Sequence, residues 1–367
     1  MASITRRPDG RWRARYRDAN GREHAKHFQR KTDGEAWLVV QQSAIQRGEW
    51  VDPKAGRVVF AEFVDRWLTA QTFDESTREA VASRLRVHIL PTFGSMALRS
   101  IRPSDVQAWI RGRQLAVAPS FARVLLANLS SVLGAAVADG LIVRNPCAAS
   151  SVRAPRVVET RVVPWSGERV LAVAAVMPQR YRPLVILAAG CGLRQGECFG
   201  LRVEDVEFLA RRVAVRQQVK QVGGKLLLAP PKGGRVRDVP LPEVVAVELA
   251  EHLRRYPARA DGLVFTSREG KPLNRNYINA RVWKPALRQA GVEPTRVNGM
   301  HALRHHYASV LLDAGQSIKA VSEYLGHADP GFTLRVYTHL LPASEDRARQ
   351  AVDAALAPLG STAAAVQ

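Results

Sequence analysis

His301 and Arg304 lie three residues apart in the run His301-Ala302-Leu303-Arg304-His305-His306. On a helix that spacing puts both on one face, while Leu303 turns into packing. Taken alone, such a pair is a surface cation pair. Its company changes the reading: Gly192-Leu193-Arg194-Gln195-Gly196-Glu197 and Lys232 precede it, and Leu325-Gly326-His327 and Tyr337-Thr338-His339 follow. Phenol, imidazole and permanent cation are the groups that transesterification at a phosphodiester calls for. That reaction needs a nucleophile, charge to offset the non-bridging oxygens, and an acid for the leaving oxygen. A tyrosine of ordinary pKa is ionised to roughly one part in a thousand at neutral pH, so it needs a base or a cationic setting. Arginines supply planar, permanently charged forks that tighten on phosphate oxygens as negative charge gathers.

The rest of the chain must position these groups. Its 367 residues suffice for two or three domains with a substantial core. Lys plus Arg number 54 against 33 Asp plus Glu, a net charge of +21, while an apolar share of 46% and 7 Trp exclude a disordered basic tail. Nucleic acid is the partner that such charge suits, through counterion release. An acidic membrane surface would call for an amphipathic or lipidated anchor as well, and the sequence offers neither. The longest uncharged apolar stretch, Val124 to Ala138, has 15 residues and falls short of the roughly 20 that span a bilayer, so no membrane is expected. Three cysteines make no even disulfide framework, and the N-terminus carries no secretory segment, which fits a reducing cytoplasm. Cys191 and Cys198 lack a histidine at ligand spacing and read as buried thiols, not a metal site.

Periodicity divides the chain into a multidomain order. Turn dipeptides Asp9-Gly10 and Asn20-Gly21 separate three short strands. In the middle one Arg11, Arg13, Arg15 and Arg17 alternate with Trp12, Ala14 and Tyr16, giving a guanidinium face and a packing face. Thr32 and Glu35 are spaced as a capping box opening a helix that would cover the packing face. Residues 1–31 hold ten Lys or Arg against Asp9, Asp18 and Glu23. From Val58 to Ala149 the apolar period becomes helical, with Ser76 and Ser104 as N-caps and Asp139-Gly140 as a helix end. Residues 150–164, with two prolines and three arginines, read as a basic linker. After Pro164 comes a larger mixed α+β region, mainly α. It has helices near 167–176 and 181–191, strands at 213–219, 225–229 and 236–241, and helices again to Leu356.

In order and spacing the chemical residues resemble the tyrosine recombinase family, the phage integrases and their relatives. The matches are GCGLRQGE at 190–197, PPKGGRVRDVPL at 230–241, HALRHHYAS at 301–309, LGH at 325–327 and YTH at 337–339, with 23 residues from Arg304 to His327 and 10 from His327 to Tyr337. HILPTFGSMALRSIRPSDVQAWI at 88–110 and GLIVRNP at 140–146 look like that family's core-binding domain, and the N-terminal ribbon and helix look like its arm-binding module. The resemblance implies an arm-type DNA-binding domain at 1–50, a helical core-binding domain at 57–149, the linker at 150–164, a catalytic domain at 165–345 and a C-terminal tail at 346–367. It implies a site-specific recombinase in which Tyr337 attacks one strand, leaving a 3′-phosphotyrosine and a free 5′-hydroxyl, with exchange through a Holliday junction. Arg194 and Arg304 would hold the phosphate, His301 would help accept the tyrosine proton, His327 would bond a phosphate oxygen, and Lys232 would be the general acid. Glu197 would orient its neighbours, and His305, His306 and His339 would serve packing or the surface. The implied chemistry uses no metal and no cofactor. Its partners are double-stranded DNA at core and arm sites, three further copies in a tetramer, an excision factor and a host DNA-bending protein, at the nucleoid.

Overall fold

The computed structural model describes residues 2–18, 21–48, 50, 52, 55–157, 162–337, 349–350 and 352–356. They belong to two compact units, residues 1–158 and 159–367.

The first unit contains two separate cores. Alternating residues form β1 (Ser3–Arg6), β2 (Trp12–Arg17) and β3 (Glu23–Phe28), an antiparallel sheet in that order. Ala14 and Tyr16 of β2 are buried and pack with Leu38 of α1 (Lys31–Gln46). Strand alternation puts Arg13, Arg15 and Arg17 on the other face, where Arg13 and Arg15 lie 3.5 and 3.9 Å from Glu23. Arg11 precedes the strand, on the turn that Asp9 closes by accepting the Arg11 N–H at 3.1 Å. The expected capping box does not form. Helix α1 begins at Lys31 with Arg30 at its N-cap, so Thr32 already lies inside the first turn. Asn20, the first residue of the second turn dipeptide, lies outside the described residues.

The second core of this unit is helical: α2 (Phe60–Ala70), α3 (Glu75–Arg84), the short α4 (Leu90–Phe93), α5 (Pro103–Ala116) and α6 (Pro119–Ala138). Two caps differ from expectation. Asp74, not Ser76, accepts the Thr77 N–H, and Pro103 occupies the first turn of α5, with Asp105 accepting the Arg102 N–H, so Ser104 has no capping role. A carboxylate at these positions also faces the positive end of the helix. Helix α6 has 20 residues, longer than the apolar stretch visible in the sequence, and by length and composition alone is able to cross a membrane. Here Leu125, Leu129, Val132 and Leu133 point into the core shared with Phe60, Phe93, Trp109 and Ile110. Asp139 and Gly140 end it as expected.

The second unit is built on α8 (Arg182–Cys191), buried along nearly its whole length between α7 (Gly167–Val176) and helices later in the chain. After α9 (Gln195–Gly200) the chain makes two small sheets. Strands β4 (Val206–Glu207), β5 (Arg212–Val215) and β8 (Arg237–Pro240) form one, and β6 (Gln218–Val222) and β7 (Lys225–Ala229) form a separate hairpin. The strand expected over 213–219 is therefore two strands, because Val215 pairs with Arg237 whereas Gln218 pairs with Ala229. Helices α10 (Glu243–Arg255), α11 (Arg275–Ile278), α12 (Lys284–Gln289), α13 (His301–Asp313), α14 (Ile318–Leu325) and α15 (Pro330–Tyr337) complete the unit. Cys191 and Cys198 are buried free thiols, and burial pushes Cys191 up to about 12. Residues 158–161, His339 and most of 346–367 lie outside the described residues.

One backbone position is critical to this packing. Gly192 ends α8 in the left-handed region, at φ 66°, and a Cβ there would stand 2.3 Å from a ring carbon of Tyr307. Both the conformation and the contact demand glycine. Gly192→Ala is expected to cost about 1–3 kcal/mol, read as a lowered urea midpoint with an unchanged slope. An unchanged midpoint would refute this account of the turn.

Candidate active site

Four helix ends converge on a group of guanidinium side chains. The left-handed Gly192 aims the chain so that Arg194 stands at the N-cap of α9, where Glu197 of the first turn accepts its backbone N–H at 2.8 Å and its Nη1 at 2.9 Å. Arg304 leaves the first turns of α13 and is 1% exposed. Its Nη1 donates to the Gly192 carbonyl at 2.8 Å and its Nη2 to the Leu325 carbonyl. Arg194 Nη2 donates to the next carbonyl of that turn, Gly326, at 3.2 Å. The C-terminal ends of α8 and α14 therefore both point carbonyl oxygens at cations, the favourable sense for helix dipoles. Burial and the charge of Arg194 push Arg304 down to about 9, which leaves it protonated at neutral pH.

Glu197 is the anionic centre of this group. It is 1% exposed, and besides Arg194 it accepts Nη2 of Arg237 at 2.7 Å and Nη1 at 3.1 Å. Burial alone would raise its pKa, but the bonds and charge of Arg237, joined by Arg194, carry it down to about 2. Gly326, at φ 63°, reverses the chain after α14 and presents His327, whose Nδ1 shares a 2.6 Å hydrogen bond with the buried Thr333 hydroxyl.

Tyr337, the last residue of α15, is 1% exposed. Its hydroxyl lies 2.7 Å from Nδ1 of His305, and the His305 and His301 rings meet edge to face at 4.7 Å. Burial raises the phenol to about 12, with Arg304 pulling the other way. His305, expected to serve packing or the surface, is thus the side chain in contact with Tyr337. The sequence did carry the signal: it stands four residues after His301 and shares its helical face. Arg237 and Thr333 were likewise missed, while His306 does pack, its Nδ1 bonded to the Trp165 carbonyl at 2.8 Å. Lys232 is exposed on the turn Lys232–Gly234 between β7 and β8, and among the described residues no hydrogen bond or ion pair joins it to this cluster.

Burial and nearby cations hold the imidazoles neutral. Burial and then Arg304 push His305 down to about 4, and burial with Arg304 and Arg194 pushes His327 to about 3. His301, the most open of the three, moves in the same direction. Between these values and the ordinary 6.5 the unfolded chain binds more protons than the folded one, so stability is fully present above about pH 6.5 and falls below it. The melting temperature is expected to be flat from pH 8 to 7 and to decline from about pH 6.5 toward 4, and His305→Asn is expected to flatten that decline. An acid decline identical in wild type and variant would contradict the assignment.

Comparison with known proteins finds family matches along most of the chain. Residues 2–47 match the phage integrase N-terminal domain, 60–152 the phage integrase central domain, and 167–344 the phage integrase family. A Mycobacterium tuberculosis protein named for the phiRv2 prophage as its integrase is 30% identical over 343 residues, covering 90% of this chain and 89% of its own. The chain belongs to the phage integrase family of tyrosine recombinases. The integrase is also 30% identical to the tyrosine recombinase XerC of Mesorhizobium japonicum, over 74% of this chain and 84% of that one. Its fold is shared with a lambda integrase tetramer bound to a Holliday junction, at a TM-score of 0.60 and 18% identity over 91% and 94% of the two chains. It is a tyrosine-type site-specific recombinase that integrates mobile elements.

Proposed function

We propose that Tyr337 is the nucleophile of this integrase and that the cluster around it is assembled for attack on a phosphodiester. The observation that carries the reading is Tyr337 in hydrogen-bond contact with an uncharged imidazole, in the field of a buried Arg304. With Nδ1 of His305 unprotonated, the tyrosine hydroxyl donates to it, and as the phenolic oxygen bonds to phosphorus that proton passes to His305, whose ring meets His301 edge to face. Arg194 and Arg304 hold the non-bridging oxygens, and His327, oriented by Thr333, bonds one of them. The bond from phosphorus to the 5′-oxygen breaks, and Lys232 protonates the leaving oxygen from its exposed turn. No step needs an external energy source, because the phosphotyrosyl ester keeps the phosphodiester's energy for religation.

Around this chemistry, residues 1–50 bind arm-type sites through Arg11, Arg13, Arg15 and Arg17, residues 57–149 and 165–345 take the core site, and residues 150–164 link them. Four copies act on paired duplexes, as in the lambda integrase complex on a Holliday junction, in the cytoplasm and with an excision factor and a DNA-bending protein as accessory partners. The test is to incubate the integrase with nicked duplexes tiled across the genomic flanks of its gene. An SDS-resistant adduct whose tryptic peptide carries the nucleotide on Tyr337 is expected. An adduct on another residue would overturn the assignment, and no adduct on any duplex would overturn the cutting reading.

A further inference from the structure

Arg237 falls outside every role given so far, yet it makes more polar contacts within the cluster than most of its members. Its side chain is 7% exposed. Two of its nitrogens form a fork on the Glu197 carboxylate, at 2.7 and 3.1 Å, and the third, Nε, donates to the Tyr324 carbonyl on α14 at 2.7 Å. A Cβ on Gly326 would stand 3.0 Å from its Cδ and Nη1, so the turn presenting His327 is packed directly against this side chain. Arg237 also opens β8, separated by two residues from the turn Lys232–Gly234 that carries Lys232.

We propose that Arg237 is a positioning residue that sets the charge available at the scissile phosphate, by engaging Glu197 so that Arg194 keeps a free positive charge. The inference rests on the assignment of Arg194 to that phosphate under the proposed function. Glu197 carries one negative charge and touches two cations. With both in place the trio has one positive charge left over, and it resides on Arg194, the more exposed of the two arginines at 23%. Remove Arg237 and the Glu197–Arg194 pair is neutral: a buried carboxylate with a single partner draws that partner into a closed pair, and an incoming phosphate loses the contribution of Arg194 and meets the charge of Arg304 alone. Arginine suits the task because three donors must point in two directions at once, toward a planar carboxylate and toward a helix carbonyl. A lysine can satisfy the charge but not the fork.

The experiment measures the rate of covalent adduct formation on the nicked duplex for wild type, Arg237→Met, Arg237→Lys, and Arg237→Met combined with Glu197→Gln, alongside Arg194→Ala as a reference. Arg237→Met is expected to lose about 100-fold, the scale of one preorganised donor, with affinity for the uncut duplex held. Arg237→Lys, which keeps the charge, is expected to stay within about tenfold of wild type. The double substitution is expected to recover about tenfold over Arg237→Met, because a neutral amide no longer competes for Arg194. A merely structural role predicts the opposite order, since the double variant removes more of the buried network and should be worse. Wild-type rates for a folded Arg237→Met, equal losses for Met and Lys, or no recovery in the double variant would each overturn the proposal. If Arg237→Met does not fold, the comparison of Arg237→Lys with the double variant decides it in the same way. Wild-type activity in Arg194→Ala would instead mark failure of the phosphate assignment beneath it.

Discussion

Tyr337→Phe is expected to give no covalent adduct at any enzyme concentration while remaining a folded, DNA-binding protein. The substitution removes one oxygen from a side chain that is 1% exposed and whose hydroxyl meets His305 Nδ1 at 2.7 Å. The ring keeps its place in the core. The loss of one partly buried hydrogen bond costs about 0.5–1.5 kcal/mol, which in a unit of this size moves the melting temperature by a few degrees, roughly 2–4 °C per kcal/mol. Cleavage, in contrast, loses the nucleophile proposed for it, and removal of an attacking group costs on the order of 10⁶-fold where it has been measured. The two effects differ so widely that one preparation separates them: a thermal melt and a gel-shift near wild type beside an adduct lane that stays empty. Residual adduct at a tenth of the wild-type level would mean that another residue attacks.

Arg304→Ala is expected to be nearly as damaging, for two reasons that a second variant distinguishes. Chemically, it removes a preorganised cation from the proposed phosphate site, worth about 10²–10³-fold in rate. Structurally, it leaves the carbonyls of Gly192 and Leu325 without their donor inside the protein, at about 1–3 kcal/mol for each buried group left unpaired. The alanine variant therefore melts earlier as well as cutting slowly. Arg304→Lys keeps a positive charge and part of the packing, but one ammonium cannot reach two carbonyls on different helix ends and still offer a fork to phosphate. It should recover much of the melting temperature and little of the rate. A lysine variant that cleaves within about threefold of wild type would show that charge alone, without the guanidinium geometry, suffices.

The site was legible in the sequence where its chemistry depends on residue type at fixed spacing. Arg194 with Glu197, and His301 with Arg304, are three apart on single turns, and a local spacing of that kind survives folding. What escaped was chemistry made by distant neighbours. Arg237 meets a carboxylate 40 residues earlier in the chain, and only strand alternation hinted at it: Val239, two residues on, is fully buried, so Arg237 shares its inward side and must find a buried partner there. His305 was passed over because the resemblance assigns it no chemical task, although on a helix it shares the face of His301. Errors in the fold were of the same local kind. Thr32 and Ser76 are good capping residues placed two positions too late, and Ser104 was displaced by a proline that starts its helix. The apparent strand over 213–219 broke because its two halves pair with different partners, which no run of β-branched residues records.

The gathering of Arg194, Arg237 and Arg304 around the single carboxylate of Glu197 has a thermodynamic consequence for the empty protein. Like charges held close together oppose the compact state, so the second unit in the absence of DNA works against its own surplus of cations. A polyanion removes that opposition when it binds, and the relief is the same free energy that appears as affinity. By mass action, duplex at a hundred times its dissociation constant raises the unfolding free energy by about 2.7 kcal/mol, so the melting temperature is itself a gauge of site occupancy. DNA is in this sense a structural component of the half of the protein in which these cations gather.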